Sequence, residues 1–344
     1  MNEKMKAAVL YAPFDLRIEE VEKPKPESEE VLLKVRASGI RGTDVSIYAG
    51  KQKVTYPLII GHEFAGQIAE VGEGVTRVKT GDRVVSDAVF SCGKCYLCQK
   101  GRRNLCVEGG IYGREKDGSY AEYIVVPEIA CFKIPDNIPF EEATIIEMLA
   151  TIYRGQKWIP INPGESVLII GQGAAGLLNT QLAKVSGATP LIVSDFFQWK
   201  LELAKKFGAD YIIDAKKENV LKKTMELTEG CGADIVIEAV GNPDTVKLSF
   251  EAVRPGGKIL LFGITTKPVD GLNSSLFYFK EITAIGTRGL VGDEFKPLIK
   301  LVASGAINLT PLNMDQYTLD QLKSALDLHY KNPASFKVLT FPKN

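Results

Sequence analysis

The second half of this chain opens with a motif that indicates its fold: Val167-Leu168-Ile169-Ile170-Gly171-Gln172-Gly173-Ala174-Ala175-Gly176. Its four apolar residues predict a buried strand, and its glycine-rich turn opens a helix. Gly171 then allows the tight turn, Gly173 lets the backbone approach a pyrophosphate, and Gly176 lets the helix pack closely against the strand. Because the N-terminus of that helix faces the phosphates, the stretch predicts a dinucleotide-binding turn.

An acidic residue, Asp195, ends the next apolar run at Ile192-Val193-Ser194-Asp195. It lies about twenty residues beyond the turn, which is the spacing that a dinucleotide site requires. A carboxylate there accepts hydrogen bonds from the adenosine ribose hydroxyls and repels a 2′-phosphate. The position therefore favours NAD over NADP.

Apolar runs and amphipathic segments alternate beyond Pro163-Gly164-Glu165, whereas the first 150 residues or so are rich in short strands and turns. Amphipathic helices such as Gln198–Phe207 separate most of the runs. This alternation predicts an α/β domain with a doubly wound parallel sheet, which follows a barrel-like β domain along the chain. After Gly289 we expect a helix, a second helix at Tyr317–Tyr330 and a strand at Phe336–Phe341. The strands predicted for the sheet are Val167–Ile170, Leu191–Ser194, Tyr211–Ile213, Asp234–Ile237, Ile259–Phe262 and Ile282–Ile285.

Length and charge narrow the class of protein. A chain of 344 residues is long enough for two domains. Lys and Arg together number 42, as do Asp and Glu, so the formal net charge is zero; this disfavours a nucleic-acid partner, which needs a basic face. No apolar run approaches a membrane span, and the first ten residues lack a signal-peptide core, so we expect a cytoplasmic protein without a membrane partner.

Four of the six cysteines, Cys92, Cys95, Cys98 and Cys106, are clustered. Four thiolates on one short segment suit a closed tetrahedral zinc site, which would be structural because it leaves no open coordination position. An iron–sulfur cluster is the competing interpretation, although ferredoxin-type runs have a shorter last gap and usually a following proline. Cys131 and Cys231 are expected to be buried core thiols.

Several further motifs carry a family resemblance: Gly61-His62-Glu63-Phe64-Ala65-Gly66, Gly118-Ser119-Tyr120-Ala121-Glu122-Tyr123 and Asp234-Ile235-Val236-Ile237-Glu238-Ala239-Val240-Gly241. With the cysteine cluster and the glycine turn, they resemble the zinc-containing medium-chain dehydrogenase/reductase family, in the branch of the sorbitol and threonine dehydrogenases. The resemblance implies a GroES-like β-barrel catalytic domain at 1–155, completed by 290–344, and a Rossmann NAD-binding domain at 156–289. It also implies one structural zinc per chain and a homodimer or homotetramer.

The resemblance assigns candidate site residues as well. Thr43 matches the hydroxyl that takes the alcohol proton, and His62 and Glu147 match ligands of a catalytic zinc, with Glu63 beside them. Lys200 matches a basic residue that contacts the adenosine ribose. The remaining cofactor-facing positions that the resemblance implies are Gln172, Ala174, Ala175, Val240, Gly263 and Arg288.

Arg41 departs from the family pattern, which has a zinc-binding cysteine at this position. Ser46 likewise replaces a histidine that often completes the proton relay, and Met148 replaces a proline. Zinc plus a thiolate carries a net charge of +1, as does arginine, so Arg41 can take the metal's place and pair with Glu63 or Glu147. Two alternatives stay open: a weak zinc held by His62 and the glutamates, and an engineered replacement of the cysteine.

These observations predict an NAD-dependent enzyme that moves a hydride between nicotinamide and a polyol or secondary alcohol, or its ketone. One rival is a zinc-free reductase in which Arg41 polarises a carbonyl or enone. Another is an NAD-binding member of the family that has lost its chemistry. The substrate is expected to be a small molecule.

Overall fold

The computed structural model describes residues 3–312, 315–331 and 338–341. Its strands in chain order are β1 (Lys4–Ala12), β2 (Asp15–Glu22), β3 (Glu30–Ile40), β4 (Leu58–Ile59), β5 (Glu63–Val71), β6 (Arg83–Ser86), β7 (Val89–Phe90), β8 (Gly110–Ile111), β9 (Tyr123–Pro127), β10 (Cys131–Lys133), β11 (Val167–Ile170), β12 (Leu191–Asp195), β13 (Tyr211–Asp214), β14 (Ala233–Glu238), β15 (Val253–Leu261), β16 (Thr283–Gly286), β17 (Asp315–Thr318) and β18 (Val338–Phe341).

The helices in chain order are α1 (Gly42–Tyr48), α2 (Tyr96–Gln99), α3 (Phe140–Trp158), α4 (Ala174–Val185), α5 (Gln198–Lys206), α6 (Val220–Leu227), α7 (Pro243–Ala252), α8 (Ser275–Lys280), α9 (Phe295–Ala303) and α10 (Leu322–Lys331). Short 3₁₀ turns are found at Arg103–Leu105, Glu128–Ala130, Thr310–Leu312 and Leu319–Gln321. None of the helices within these described ranges is long and apolar enough to cross a membrane.

The chain divides into two compact units. The first takes the described residues within Met1–Ala150, Gly289–Gly305 and Leu309–Asn344, and the second takes Thr151–Arg288 with Ala306–Asn308. The division falls inside α3, near the point where the sequence changes from short strands to alternating strands and helices.

The second unit is built on a six-stranded sheet in the order β13-β12-β11-β14-β15-β16, and every neighbouring pair is parallel. Buried strand residues such as Leu168, Ile192 and Val236 form its core. The predicted doubly wound sheet is therefore confirmed. The strand order reverses at β11, which lies between β12 and β14, and ligands bind at such a switch point beyond the carboxyl ends of the strands.

The first unit is β-rich, as expected. One sheet runs β10-β6-β5-β3-β18-β17 with β9 also on β3, a second runs β2-β1-β4, and β7 pairs with β8. Strand β3 is the hub of the larger sheet because it pairs antiparallel with β5, β9 and β18. Its carboxyl end leads directly into α1, and this connection positions Arg41.

Two predictions for the C-terminal segment differ from the structure or extend beyond it. The helix predicted at Tyr317–Tyr330 is wrong in its first part: Tyr317 and Thr318 belong to β17, which pairs parallel with β18, and the α-helix begins at Leu322. The apolar spacing within a segment carries no information about its pairing with a strand elsewhere in the chain, such as that of β17 with β18. The strand predicted at Phe336–Phe341 is seen from Val338; Phe336 and Lys337 lie outside the described residues.

The two isolated cysteines differ. Cys131 is buried in β10, as predicted, but Cys231 is exposed. The prediction for Cys231 was wrong because this residue lies in the turn that precedes β14, where Gly230 and Gly232 both have positive φ.

Candidate active site and cofactor site

The glycine turn of the second unit follows β11 and opens α4. Gly171 has a φ of 90°, a left-handed conformation that favours glycine. A Cβ on Gly176 would overlap the carbonyl oxygen of Gly171, whereas a Cβ on Gly173 would meet nothing within 4 Å. The turn is thus closed on its helix side and open at Gly173, where α4 presents its first amides beside Ala174 and Ala175. This is an anion-binding geometry.

Gln172 and Asp195 brace the turn. The Gln172 side chain is fully buried, donates to the Gly171 carbonyl (3.1 Å) and accepts from the Thr180 hydroxyl (2.9 Å). Its backbone N–H donates to Asp195 Oδ2 at 2.6 Å, and the Phe197 N–H donates to Oδ1 at 2.9 Å. Each carboxylate oxygen of Asp195 keeps acceptor capacity for a hydroxyl group. Gln172 therefore contributes its backbone to the site and its side chain to the support of the turn.

Two lysines approach the Phe197 ring beside Asp195. Lys200 is buried, and its ammonium lies 4.8 Å from the ring centroid. Lys216, which the sequence interpretation missed, lies 4.9 Å from the same centroid. The sequence signal for Lys216 is its position two residues after β13. Because Asp214 of β13 pairs in register with Asp195 of β12, a residue just beyond Asp214 lies near Asp195. Lys200 is thus held by aromatic faces rather than extended into solvent.

Three other predicted cofactor positions lie beyond the carboxyl ends of strands in the second unit. Val240 follows β14 and is about half exposed, and Gly263 follows β15. Arg288 is exposed two residues after β16. All three are on the same edge of the parallel sheet as the glycine turn.

Arg41 and two carboxylates form an ion triad in the first unit. Arg41 Nη1 lies 2.8 Å from Glu147 Oε2 and 3.3 Å from Glu63 Oε1. Glu63 is fully buried and Glu147 nearly so, while the Arg41 side chain is 23% exposed. Register explains the contact, because Gly39 of β3 faces Glu63 of β5 across an antiparallel pair. The pairing that the charge argument predicted is present with both glutamates.

A second contact, between Asp44 and His62, lies beside the triad. Asp44 Oδ1 is 2.9 Å from His62 Nδ1, and Oδ2 accepts the backbone N–H of Arg41 at 2.8 Å. Burial alone would raise the Asp44 pKa, but the His62 charge and hydrogen bond, with the Arg41 N–H, hold it below its usual value. The sequence signal for Asp44 is an acidic residue at the third position of a short helix whose N-cap is Arg41. Thr43 and Ser46 lie on the same short helix and are partly buried.

Asp87 is a further buried carboxyl that sequence reasoning missed. It accepts from the Val89 N–H at 2.7 Å and from Arg103 Nη2 at 3.1 Å. Burial raises its pKa to about 7; Arg103 opposes the shift, while the charges of Glu147 and Glu294 add to it. Since Arg103 lies in the cysteine segment, Asp87 links that segment to the surroundings of the triad.

The cysteine lobe, residues 92–106, fits a structural zinc. The four sulfurs lie within 4.8 Å of one another, with Sγ pairs at 3.4, 3.6 and 3.9 Å. Four sulfurs placed tetrahedrally 2.3 Å from zinc would be about 3.8 Å apart. Cys92, Cys95, Cys98 and Cys106 would therefore hold the ion without rearrangement.

The residues around Arg41 do not fit a second zinc. Within the part of the chain that the structure describes, the cysteine lobe is the one group of three or more His, Cys, Asp or Glu residues close enough to share a metal. His62, Glu63 and Glu147 form no such group, and a guanidinium nitrogen lies between the carboxylates. The Arg41 guanidinium supplies the positive charge beside both carboxylates.

Known proteins are similar to nearly the whole chain. Residues 27–136 match the family model described as alcohol dehydrogenase GroES-like domain, and residues 174–304 match that described as zinc-binding dehydrogenase. The L-threonine 3-dehydrogenase of Pyrococcus abyssi is 39% identical over 95% of this chain and 96% of its own length. The sorbitol dehydrogenase of Bacillus subtilis is 34% identical over 99% of this chain and 98% of its own.

A solved structure extends the similarity to three dimensions. A protein from Sinorhizobium meliloti, provisionally described as a zinc-binding dehydrogenase and crystallised with NADP, superposes with a TM-score of 0.92. It is 33% identical, and the match covers 99% of this chain and all of the other.

Proposed function

We propose a function on one premise: this chain belongs to the zinc-type medium-chain dehydrogenase family. It is an oxidoreductase that moves a hydride between NAD and an alcohol or polyol carbon, or the corresponding ketone. One zinc is held in the cysteine lobe. We infer that the arginine triad takes the place of the catalytic zinc, and this inference distinguishes the proposal from the ordinary activity of the family.

The second unit supports NAD as the cofactor. The open side of the glycine turn at Gly173 and the first amides of α4 would receive the pyrophosphate. Asp195 is fixed by two backbone N–H groups and would accept the ribose hydroxyls. Its charge disfavours a 2′-phosphate, and Lys200, turned toward the Phe197 and Trp199 rings, does not offset that charge at the ribose. When bound, NAD supplies the hydride acceptor or donor.

The first unit supplies the groups that handle the substrate oxygen. Thr43 would exchange the hydroxyl proton, and Arg41 would donate an N–H to the oxygen as it becomes an alkoxide or carbonyl. The contacts of Arg41 with the two glutamates use Nη1, so Nη2 and Nε are the donors proposed to meet substrate. Asp44 keeps His62 in one orientation beside them.

The replacement has a large chemical cost. A zinc ion lowers the pKa of bound water from about 16 to about 7, which at about 1.4 kcal/mol per unit is roughly 12 kcal/mol of help in forming an alkoxide. An arginine stays protonated and offers only hydrogen bonds. The charge of Arg41 is also shared by two carboxylates. We therefore expect alcohol oxidation far slower than in a zinc-assisted enzyme.

A zinc-free reductase is the second candidate, and the triad favours it specifically. Reduction of a carbonyl or enone starts from a neutral oxygen, and the hydride from NADH makes this oxygen anionic. The Arg41 N–H would stabilise that charge by a hydrogen bond, and a proton delivered through Thr43 would complete the product. A catalytically silent NAD-binding protein is the third. The homo-oligomer and the cytoplasmic location predicted from the sequence stay predictions.

A cofactor assay with matched variants tests the proposal. Purified protein is given NAD with alcohols and polyols, and NADH with ketones, aldehydes and enones, while absorbance at the nicotinamide band is followed. We expect turnover that survives a chelator of accessible zinc, that falls about a hundred-fold in Thr43→Val, and that largely returns in Thr43→Ser. Turnover with carbonyls alone supports the reductase. Binding of NADH without any turnover contradicts both catalytic proposals.

A further inference from the structure

Glu238, the last residue of β14, is a fully buried carboxylate with an unusual set of partners. Its Oε1 accepts from the Val240 N–H (3.0 Å), the Gly241 N–H (2.9 Å) and the Thr245 hydroxyl (2.7 Å), and its Oε2 also accepts from Gly241 (3.2 Å). A carboxylate is buried at a large cost unless such donors compensate it. The side chain is therefore committed to the turn at 240–241.

The backbone of Glu238 fixes the neighbouring strand end. Its carbonyl oxygen accepts from the N–H groups of Phe262 and Gly263, both at 2.9 Å. A Cβ on Gly263 would lie 2.6 Å from Glu238 Oε2 and would overlap the Gly241 nitrogen. One residue thus joins the carboxyl ends of β14 and β15, and leaves room at position 263 for glycine alone.

The turn held in this way also touches the phosphate turn. A Cβ on Gly171 would overlap Val240 Cγ2, so the Val240 side chain lies directly over the first glycine of the dinucleotide turn. Val240 is nevertheless 49% exposed. Its backbone is fixed by Glu238 and its side chain faces the carboxyl edge of the sheet.

Strand order decides which part of a dinucleotide meets this turn. The glycine turn follows β11, and Asp195 ends β12 on one side of it. If the adenosine lies over β12, the other half of the cofactor must extend over β14 and β15. These are the two strand ends that Glu238 joins.

We propose that Glu238 is the positioning residue for the nicotinamide half of the cofactor, acting through the Val240–Gly241 turn and Gly263. The inference rests on the proposed function, since it takes NAD to be the ligand. It assigns Glu238 no contact with the cofactor; its role is to set the height and orientation of the turn on which the nicotinamide ribose lies.

The test compares two ligands and three variants by calorimetry. NADH has both halves of the dinucleotide, whereas ADP lacks the nicotinamide and the ribose that carries it. Glu238→Ala removes the carboxylate, and Glu238→Gln keeps one acceptor oxygen. The control is Asp234→Asn, near the opposite end of β14. The Asp234 carboxylate is a comparable acceptor, since it accepts hydrogen bonds from the backbone N–H and the hydroxyl of Ser166 and from Arg254.

We expect the NADH dissociation constant to rise at least about ten-fold in Glu238→Ala and less in Glu238→Gln, with ADP binding changed less than two-fold. Asp234→Asn should lower the Tm and leave both ligands unchanged. Equal weakening of NADH and ADP, or unchanged NADH binding in Glu238→Ala, overturns the proposal. Should Glu238→Ala fail to fold, unchanged NADH binding in Glu238→Gln and in Thr245→Val overturns it. Wild-type protein that binds neither ligand refutes the proposed function itself.

Discussion

At the scale of single residues, Arg41 has the largest effect on the chemistry that the site can perform. Its guanidinium contacts two buried glutamates, and a carboxylate pair of this kind is stable only if a cation lies beside it. Zinc and arginine both satisfy that requirement, but they differ in what they do to a substrate oxygen. If arginine replaces zinc as we propose, the charge balance of the site is kept while the reaction that it can assist changes.

Removing one carboxylate of the triad should destabilise the protein measurably. We expect Glu147→Gln to lower the free energy of unfolding by about 1–3 kcal/mol, less than for a fully buried pair because Arg41 is partly exposed to solvent. Urea denaturation measures the change. Glu141→Gln, on the first turn of the same helix, is the control and should change stability by less than about 0.5 kcal/mol. Equal stability of the two variants would show that the triad contributes little.

Asp195 should set the choice between the two dinucleotides. Asp195→Asn removes the charge that repels a 2′-phosphate, and we expect the ratio of kcat/KM for NADP to that for NAD to rise about ten-fold, the size of one near-surface charge interaction. Asp214→Asn, whose position pairs in register with Asp195 on β13, is the control. A ratio that moves equally in both variants would assign the preference to the general charge of this surface.

At the scale of elements, strand pairing brings the members of the arginine triad together. Strand β3 delivers Arg41 at its carboxyl end, antiparallel β5 starts at Glu63, and α3 adds Glu147. In the cysteine lobe, Arg103 pairs with Asp87, and the charge of Glu147 helps to raise the Asp87 pKa. A change in the lobe should therefore alter the electrostatics near the triad, although the lobe supplies none of its members.

Asp87 should make stability depend on pH in a defined direction. Its pKa is raised to about 7 by burial in the folded chain, against about 4 in the unfolded chain. The folded state thus binds this proton more tightly, so the stabilising contribution is complete below about pH 4 and is lost as the pH rises through about 7. We expect the Tm of wild-type protein, relative to Asp87→Asn, to fall between pH 5 and pH 8.

The control for this pH dependence is Asp136→Asn, since the Asp136 side chain is 97% exposed. Its Tm should follow that of wild type at every pH. A Tm difference between wild type and Asp87→Asn that stays constant from pH 5 to pH 8 would contradict the shifted pKa.

At the scale of the whole molecule, the sequence predicted the cofactor unit better than the catalytic one. Binding of a phosphate group requires glycines and a helix N-terminus at fixed spacing. Residues 167–176 and Asp195 could therefore be predicted from local sequence, and the alternation of strands and helices predicted the parallel sheet. The contact of Asp44 with His62 and the support from Glu238 depend on groups brought together by folding. The same limit explains the error at Tyr317, where pairing with β18 overrides a helical pattern.

Zinc per chain tests the role of the arginine triad most directly, measured by elemental analysis of wild type, Cys95→Ser and Arg41→Cys purified without chelators. We expect one zinc in wild type, because the lobe would be filled and Arg41 would exclude a second ion. We expect less than one in Cys95→Ser and two in Arg41→Cys, with His62 and Glu147 completing the new site. Two zincs in wild type, or one in Arg41→Cys, would contradict the claim that the arginine triad has replaced the catalytic metal.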